Sequence, residues 1–287
     1  MSTIAKPNTE RPVVLTIAGF DPSGGAGTIA DIKTFVHFHC RPVAAITSLT
    51  FQNSQAVFGM THESADSLRA QILPIVEEFR LAAVKTGMLP TAEIVLEVAR
   101  LIREDNLVAP VIDPVLYSSS GSALTEEEAV EPLLRELMPL ARVITPNVSE
   151  AERLAGLRIE NEEGMRDAAR ALREIGAQAV LIKGGHLLRK KSEVRSQKSG
   201  ETQQAVDILD DGGRVSFFRS GWIDTHGLRG TGCMLSSGIA ACLAQGMNLE
   251  EAVRLAKQFV ADALRDASNL EQPPVALELT EFMKSGN

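Results

Sequence analysis

The sequence predicts a three-layer α/β/α fold with a mainly parallel central sheet and a small β-hairpin. Three observations carry this expectation. Short apolar runs recur along the chain, several ending in Gly, which is the pattern of strands buried on both faces. Between them lie longer stretches with helical periodicity. Late in the chain, Asp210-Asp-Gly-Gly213 separates two short apolar runs and reads as a hairpin turn. Strands that alternate with helices imply a sheet covered on both sides.

The elements follow in order. Val13–Gly19 is a strand and Gly25–Phe38 a helix. Val43–Leu49 is the second strand, followed by a helix at Ser64–Phe79. Ala82–Thr86 is a strand closed by Gly87, and Thr91 is placed to cap a helix that runs to Glu104. Val108–Asp113 is a strand, Thr125–Leu137 a helix, Arg142–Thr145 a strand and Ser149–Ala155 a short helix. Gly164–Ile175 is helical and Ala179–Lys183 extended. Ala205–Leu209 and Val215–Phe218 make the hairpin, and helices at Gly232–Gln245 and Leu249–Asp266 complete the chain. The polar, basic stretch Leu187–Gln204 reads as an exposed loop. No repeat or linker divides the sequence, so residues 12–280 are expected to form one domain between short tails at 1–11 and 281–287.

Composition narrows the function. A chain of 287 residues that is 44% hydrophobic can bury a large core. A net charge of -8 and a pI near 5.3 argue against nucleic acid as a partner, because a phosphate backbone needs a Lys/Arg surplus. No stretch approaches the roughly 20 apolar residues of a membrane helix. Met1–Arg11 lacks the apolar core of a secretory signal. Cys40, Cys233 and Cys242 are odd in number and lack metal-ligand spacing, which fits free thiols in a reducing cytoplasm.

In a parallel sheet, ligands bind beyond the C-terminal strand ends. Those positions hold a consistent set of residues. Gly230-Thr-Gly-Cys233 opens a long helix, so its free N–H groups and the helix dipole suit a phosphate. Cys233 falls in the first turn, a position expected to lower its thiol pKa and fit it to act on a substrate hydroxyl. The plain alternative is a Gly-rich helix start with a structural Cys. Asp21 is the one acid in the turn Gly19–Gly27, which lacks the Gly-Lys-Ser/Thr ending of a P-loop. That turn is also one that Asp, Pro and Gly favour for themselves.

Asp113, Asn147 and Glu150 follow strands in a way that lets them gather around Mg²⁺, which takes a few carboxylates plus water and phosphate oxygens. Glu150 alone would read as an ordinary first-turn acid. Lys183 ends an apolar strand, where it faces either a nucleotide phosphate or solvent. Gln52 offers both a donor and an acceptor to a heterocycle edge. His186 and His226 read as structural.

Taken together, Ala18-Gly-Phe-Asp-Pro-Ser-Gly-Gly-Ala-Gly27, Ala30-Asp-Ile-Lys-Thr34, Gln52-Asn53, Lys85-Thr-Gly-Met-Leu89, Asp113-Pro-Val115, Thr145-Pro-Asn147 with Glu150-Ala151, Lys183-Gly-Gly-His186 and Gly230-Thr-Gly-Cys233 resemble the hydroxymethylpyrimidine/phosphomethylpyrimidine kinases. These form the thiamine-biosynthesis branch of the ribokinase-like superfamily. The resemblance runs from about Val13 to Asp266, and the joint order of the motifs is its specific feature. It implies a homodimeric enzyme that uses ATP and Mg²⁺ to phosphorylate 4-amino-5-hydroxymethyl-2-methylpyrimidine and then its monophosphate.

The resemblance also implies roles. Gln52 holds the ring edge, Met88 and Val115 line the ring pocket, and Asp21 lies near the hydroxymethyl or phosphate end. Gly230, Thr231 and Gly232 form the anion hole, and Cys233 stands where most ribokinase-like enzymes carry an Asp base. Asp113 and Glu150 place Mg²⁺, while Lys183 and Asn147 serve the nucleotide.

The sequence departs from the family in four places. Leu228-Arg229 interrupts the usual Thr-His-Gly-Thr-Gly-Cys run, Met234 replaces a usual Thr, Phe20 stands where a small or polar residue is common, and the 187–204 loop is long and basic. Arg229 either reaches an ATP phosphate or stands as a solvated surface residue. A pyridoxal kinase of the same superfamily and a non-catalytic ligand sensor on the same fold remain as alternatives.

Overall fold

A computed structural model describes residues 11–53, 55–105, 107–118, 121–185, 204–221 and 229–268. The expected tails, the basic loop up to residue 203, His186, His226 and Leu228 lie outside the described residues, apart from Arg11 at the end of the first tail.

Nine strands form one sheet: β1 (Val13–Phe20), β2 (Arg41–Gln52), β3 (Val57–His62), β4 (Leu81–Thr86), β5 (Val111–Ile112), β6 (Val143–Ile144), β7 (Val180–Lys183), β8 (Gln204–Asp210) and β9 (Val215–Gly221). Their order is β3-β2-β1-β4-β5-β6-β7-β8-β9. The six strands from β2 through β7 in that order, with β1 among them, run parallel; β3, β8 and β9 add antiparallel edges. The helices are α1 (Gly27–His37), α2 (Ala65–Glu78), α3 (Ala92–Glu104), α4 (Val130–Pro132), α5 (Val148–Ala155), α6 (Glu162–Ile175), α7 (Thr231–Ala244) and α8 (Leu249–Ser268).

The period of two along the strands sorts side chains into two cores. Leu15, Ile17, Ile112, Ile144, Val180 and Ile182 face α2, α3, α5 and α6. Val14, Val111, Val143 and Leu181 face the opposite way, against Phe35 of α1 and the apolar residues of α7 and α8. Each fully buried Leu or Ile contributes about 1.5–3 kcal/mol. α7 is apolar almost all round and buried over most of its length, so the start of this helix is firmly seated.

Four expectations change. β3 does not appear in the sequence reading, because Gly59 breaks its apolar pattern and it is a half-exposed edge strand. β5 is shorter than Val108–Asp113, since Pro110 has no N–H to give to the sheet. The single helix expected at Thr125–Leu137 is a mixed run: 3₁₀ turns at Glu127–Ala129 and Met138–Leu140 flank α4 and a π turn at Leu133–Leu137. Pro132 and Pro139 remove the N–H groups that a continuous helix would need. Finally, Gln204 belongs to β8 rather than to the preceding loop.

Candidate active site

β1 lies between β2 and β4, so the connections leave it in opposite directions and open a cleft beyond its C-terminal end. The cleft is a cavity of about 350 Å³. Every site residue singled out in the sequence lines it: Asp21, Gln52, Met88, Val115, Asp113, Asn147, Glu150, Lys183, Arg229 and the run Gly230–Cys233.

The Gly-rich corner of the cavity is built first by steric exclusion. Gly230 has φ +84°, and a Cβ there would lie 2.0 Å from the Gly25 carbonyl oxygen. Gly27 has φ +58°, and its Cβ would lie 2.2 Å from the Gly19 oxygen. Two turns, one after β1 and one before α7, therefore pack backbone to backbone at the cavity floor, and only Gly permits it. α7 starts at Thr231 with no side-chain cap and no acid in its first turn, so its dipole faces the cavity uncompensated.

Opposite this corner, Lys183 Nζ is 2.7 Å from Asp113 Oδ1. Thr145 Oγ1 donates to the same oxygen at 3.3 Å, and Ser236 Oγ of α7 donates to Asp113 Oδ2 at 3.3 Å. Burial pushes the Asp113 carboxyl up, but Lys183 and Lys85 outweigh it and hold the group below the ordinary carboxylate range. Burial likewise pushes the Lys183 amine down, and Asp113 and Glu150 more than reverse this. Both are charged, so the plain reading of Lys183 as a solvated strand-end residue does not hold.

Asn147 and Glu150 form a capping box at the start of α5: Glu150 N donates to Asn147 Oδ1 at 2.9 Å, and Asn147 N to Glu150 Oε2 at 2.8 Å. Both side chains thus build the helix start as well as lining the cavity. Burial pushes Glu150 up to about 7; Lys183 opposes that rise and Asp113 reinforces it.

The expectation for Cys233 is reversed. Burial pushes its thiol up to about 11; Lys85 opposes this, while Asp31 and Asp113 add to it. The helix dipole favours a thiolate, but burial outweighs it, with the two carboxylates adding to the rise. At neutral pH the group is a thiol.

Arg229 has protein partners at the end of β2: its guanidinium donates to Asn53 O and to Gln52 Oε1, the latter at 2.9 Å.

Asp21 accepts from Ser23 N at 2.8 Å and from Ser23 Oγ at 2.7 Å through Oδ1. Its Oδ2 is buried without a protein partner. A carboxylate oxygen in that state awaits a donor or a cation.

Sequence reasoning assigned no role to Lys85 and Asp31, although both stand in motifs it quoted. Lys85 Nζ is 2.9 and 2.8 Å from the two Asp31 oxygens, and both side chains are fully buried. Thr16 and Ser237 donate to the same carboxylate at 2.6 and 2.7 Å. The available signal was a Lys inside an apolar strand, which needs a buried partner. Lys257 was also missed; it bridges to Asp207 at 2.5 Å and lines the cavity, as do Val260, Ala261 and Leu264.

Among the described residues no group of three or more His, Cys, Asp or Glu side chains is arranged to hold a metal by itself, and no helix is long and apolar enough to cross a membrane.

Comparison with known proteins agrees with this geometry. Residues 21–276 match the model of the phosphomethylpyrimidine kinase family. A hydroxymethylpyrimidine/phosphomethylpyrimidine kinase of Streptomyces coelicolor is 39% identical over 262 residues, which is 91% of this chain and 92% of that protein. The crystal structure of phosphomethylpyrimidine kinase from Clostridium difficile 630 superposes with a TM-score of 0.75 at 37% identity, covering 88% of this chain and 100% of that one. The pyridoxal kinase of Staphylococcus aureus, in complex with AMP-PCP and pyridoxal, superposes with a TM-score of 0.77 at 31% identity, covering 89% of this chain and 88% of that one.

Proposed function

The chain belongs to the phosphomethylpyrimidine kinase family, and from that premise we propose that it transfers the γ-phosphate of ATP to the hydroxymethyl group of 4-amino-5-hydroxymethyl-2-methylpyrimidine, and then to the monophosphate formed. The observation that carries the reading is the meeting of four features in one cavity: an uncapped helix start at Gly230–Cys233, a charged Lys183, an acidic pair at Asp113 and Glu150, and a Gln52 amide. The relatives' names and the complex of the Staphylococcus aureus protein with AMP-PCP support nucleotide use.

Phosphoryl transfer needs positioning and charge stabilisation more than covalent help. The backbone N–H groups of Gly230–Cys233 bind the oxygens of the moving phosphoryl group as charge develops. Lys183 reaches the same oxygens from the opposite wall. The apolar surface of Val260, Ala261 and Leu264 suits a nucleotide base at the far end. Met88 and Val115 enclose the ring, and Gln52 meets its edge. Cys233 stands where it can hydrogen-bond the hydroxymethyl oxygen as a thiol. In a loose transition state the hydroxyl proton leaves late, so a strongly basic group is not required.

Mg²⁺ fits this donor set. Burial, with repulsion from Asp113 added, pushes Glu150 up to about 7 although Lys183 opposes the rise, so a further cation beside the two carboxylates would be favoured. Asp113 and Glu150 would hold the ion, directly or through water. When bound, Mg²⁺ neutralises phosphate charge and aligns the phosphates.

The same proposal includes a homodimer. On the edge hairpin Leu49, Phe51 and Phe58 remain 40, 52 and 71% exposed, an apolar surface suited to a second copy. Incubation with ATP, Mg²⁺ and the pyrimidine, followed by mass spectrometry, tests the reaction. Successive addition of two phosphates is expected; an unchanged pyrimidine refutes it.

A further inference from the structure

Arg229 stands in the two-residue interruption of the Gly-rich run, and its contacts give it a task. Its backbone is fixed from one side, because Gly230 is locked against Gly25. Its guanidinium spans to the turn after β2. One nitrogen donates to the Asn53 carbonyl, and the other donates to Gln52 Oε1 at 2.9 Å. The receiving turn is itself well fixed. Asn53 Oδ1 accepts from Gln55 N at 2.9 Å and from Ala56 N at 3.1 Å, which leaves the Asn53 carbonyl for Arg229. The register of β2 with β3 shifts between Phe51 and Gln52, where β3 carries the extra residue Phe58, and Gln52 lines the cavity.

An amide side chain can turn over at little cost, exchanging oxygen for nitrogen. A guanidinium has five donors and no acceptor. The amide atom that faces Arg229 must therefore be the oxygen. Among the described residues no protein group takes Gln52 Nε2, so that donor is the one left for a ligand.

We propose that Arg229 is a specificity-determining positioning residue: it locks Gln52 in one of its two amide orientations, so that the site selects a ring edge carrying an acceptor nitrogen beside a donor amine. Nε2 donates to the ring nitrogen, and the second lone pair of Oε1 accepts from the neighbouring amine. A ring that presents only donors at this edge is disfavoured. The inference rests on the functional reading above, in which the pyrimidine edge meets Gln52.

The test is a double-mutant cycle read as separate KM values for the pyrimidine and for ATP. Arg229→Ala is expected to raise the pyrimidine KM by roughly three- to tenfold, the scale of one net hydrogen bond, and to leave the ATP KM unaltered. Arg229→Lys keeps a donor-only head and should recover part of the loss. Arg229→Gln can both donate and accept, so it permits either orientation and should recover none. In a Gln52→Leu background, Arg229→Ala should add nothing further. An ATP KM that rises in Arg229→Ala, or an Arg229→Ala effect of equal size with and without Gln52, overturns the inference. A parent protein with no pyrimidine turnover overturns the functional reading as well, whereas turnover with an additive cycle overturns this inference alone.

Discussion

Gly232 is the position where a single methyl group separates catalysis from folding. It is the second residue of α7, with φ outside the left-handed region. A Cβ built there would lie 3.2 Å from Lys183 Nζ and 3.9 Å from Asp113 Oδ2. The tighter neighbour is the far end of the Lys183 side chain, so Gly232→Ala asks that ion-paired group to give only slightly. The helix gains from the change: Gly→Ala without strain stabilises by about 0.4–1 kcal/mol. The methyl nevertheless occupies the space between the helix start and Lys183, where a phosphate oxygen must sit to touch both. A displacement of about 1 Å at a reacting centre costs on the order of 10²-fold in rate. Gly232→Ala should therefore keep or raise Tm while kcat falls by about 10²-fold. Gly230→Ala is the contrasting control, because its Cβ would meet a backbone oxygen at 2.0 Å and its φ is +84°. That variant should lose Tm and activity together. Differential scanning fluorimetry beside an ADP-release assay reads both quantities. If Gly232→Ala turned over within about threefold of the parent, phosphate would not bind between α7 and Lys183.

Other expectations follow from the same geometry. Glu150 titrates near 7 in the folded protein against 4.5 unfolded, so the native state binds more protons between these values and stability falls as pH rises through that window. Glu150→Gln should accordingly raise Tm more at pH 8 than at pH 5, and equal shifts at both would place the charge strain elsewhere. With its thiol near 11, Cys233 should react slowly with iodoacetamide at pH 7.5 and increasingly toward pH 11; rapid labelling at neutral pH would reveal a thiolate. Gln52→Leu should raise the pyrimidine KM by the equivalent of roughly 1–3 kcal/mol with ATP KM steady, and the opposite pattern would move the ring to the other end of the cavity. Asp31→Asn leaves Lys85 buried without its counter-charge, which should cost on the order of 3–5 kcal/mol of stability; a near-parental urea midpoint would contradict the buried pair.

The sequence made the parallel core and the site positions legible for one reason. Most of the functional residues follow an apolar run, and in a parallel sheet such positions share one edge. A helix start was equally readable where a side chain marks it, as with Thr91, which caps its helix. What stayed hidden depends on contacts between distant segments. The Lys85–Asp31 pair joins residues 54 apart in sequence. The elevated Cys233 thiol depends first on burial and then on Asp31 and Asp113, neither of which its position in a helix reveals. Arg229 finds Gln52 across 177 residues, so its charge suggested a phosphate when its partner was an amide. β3 escaped because an edge strand needs only half of the apolar pattern.

The central claim is that this cavity directs the γ-phosphate of ATP to a hydroxymethylpyrimidine. Its most direct test is a coupled ADP-release assay with Mg²⁺, in which 4-amino-5-hydroxymethyl-2-methylpyrimidine, its monophosphate and pyridoxal are supplied separately at equal concentrations. Turnover of both pyrimidines is expected, with a kcat/KM for the hydroxymethylpyrimidine above that for pyridoxal. ADP release with pyridoxal and none with either pyrimidine would contradict it.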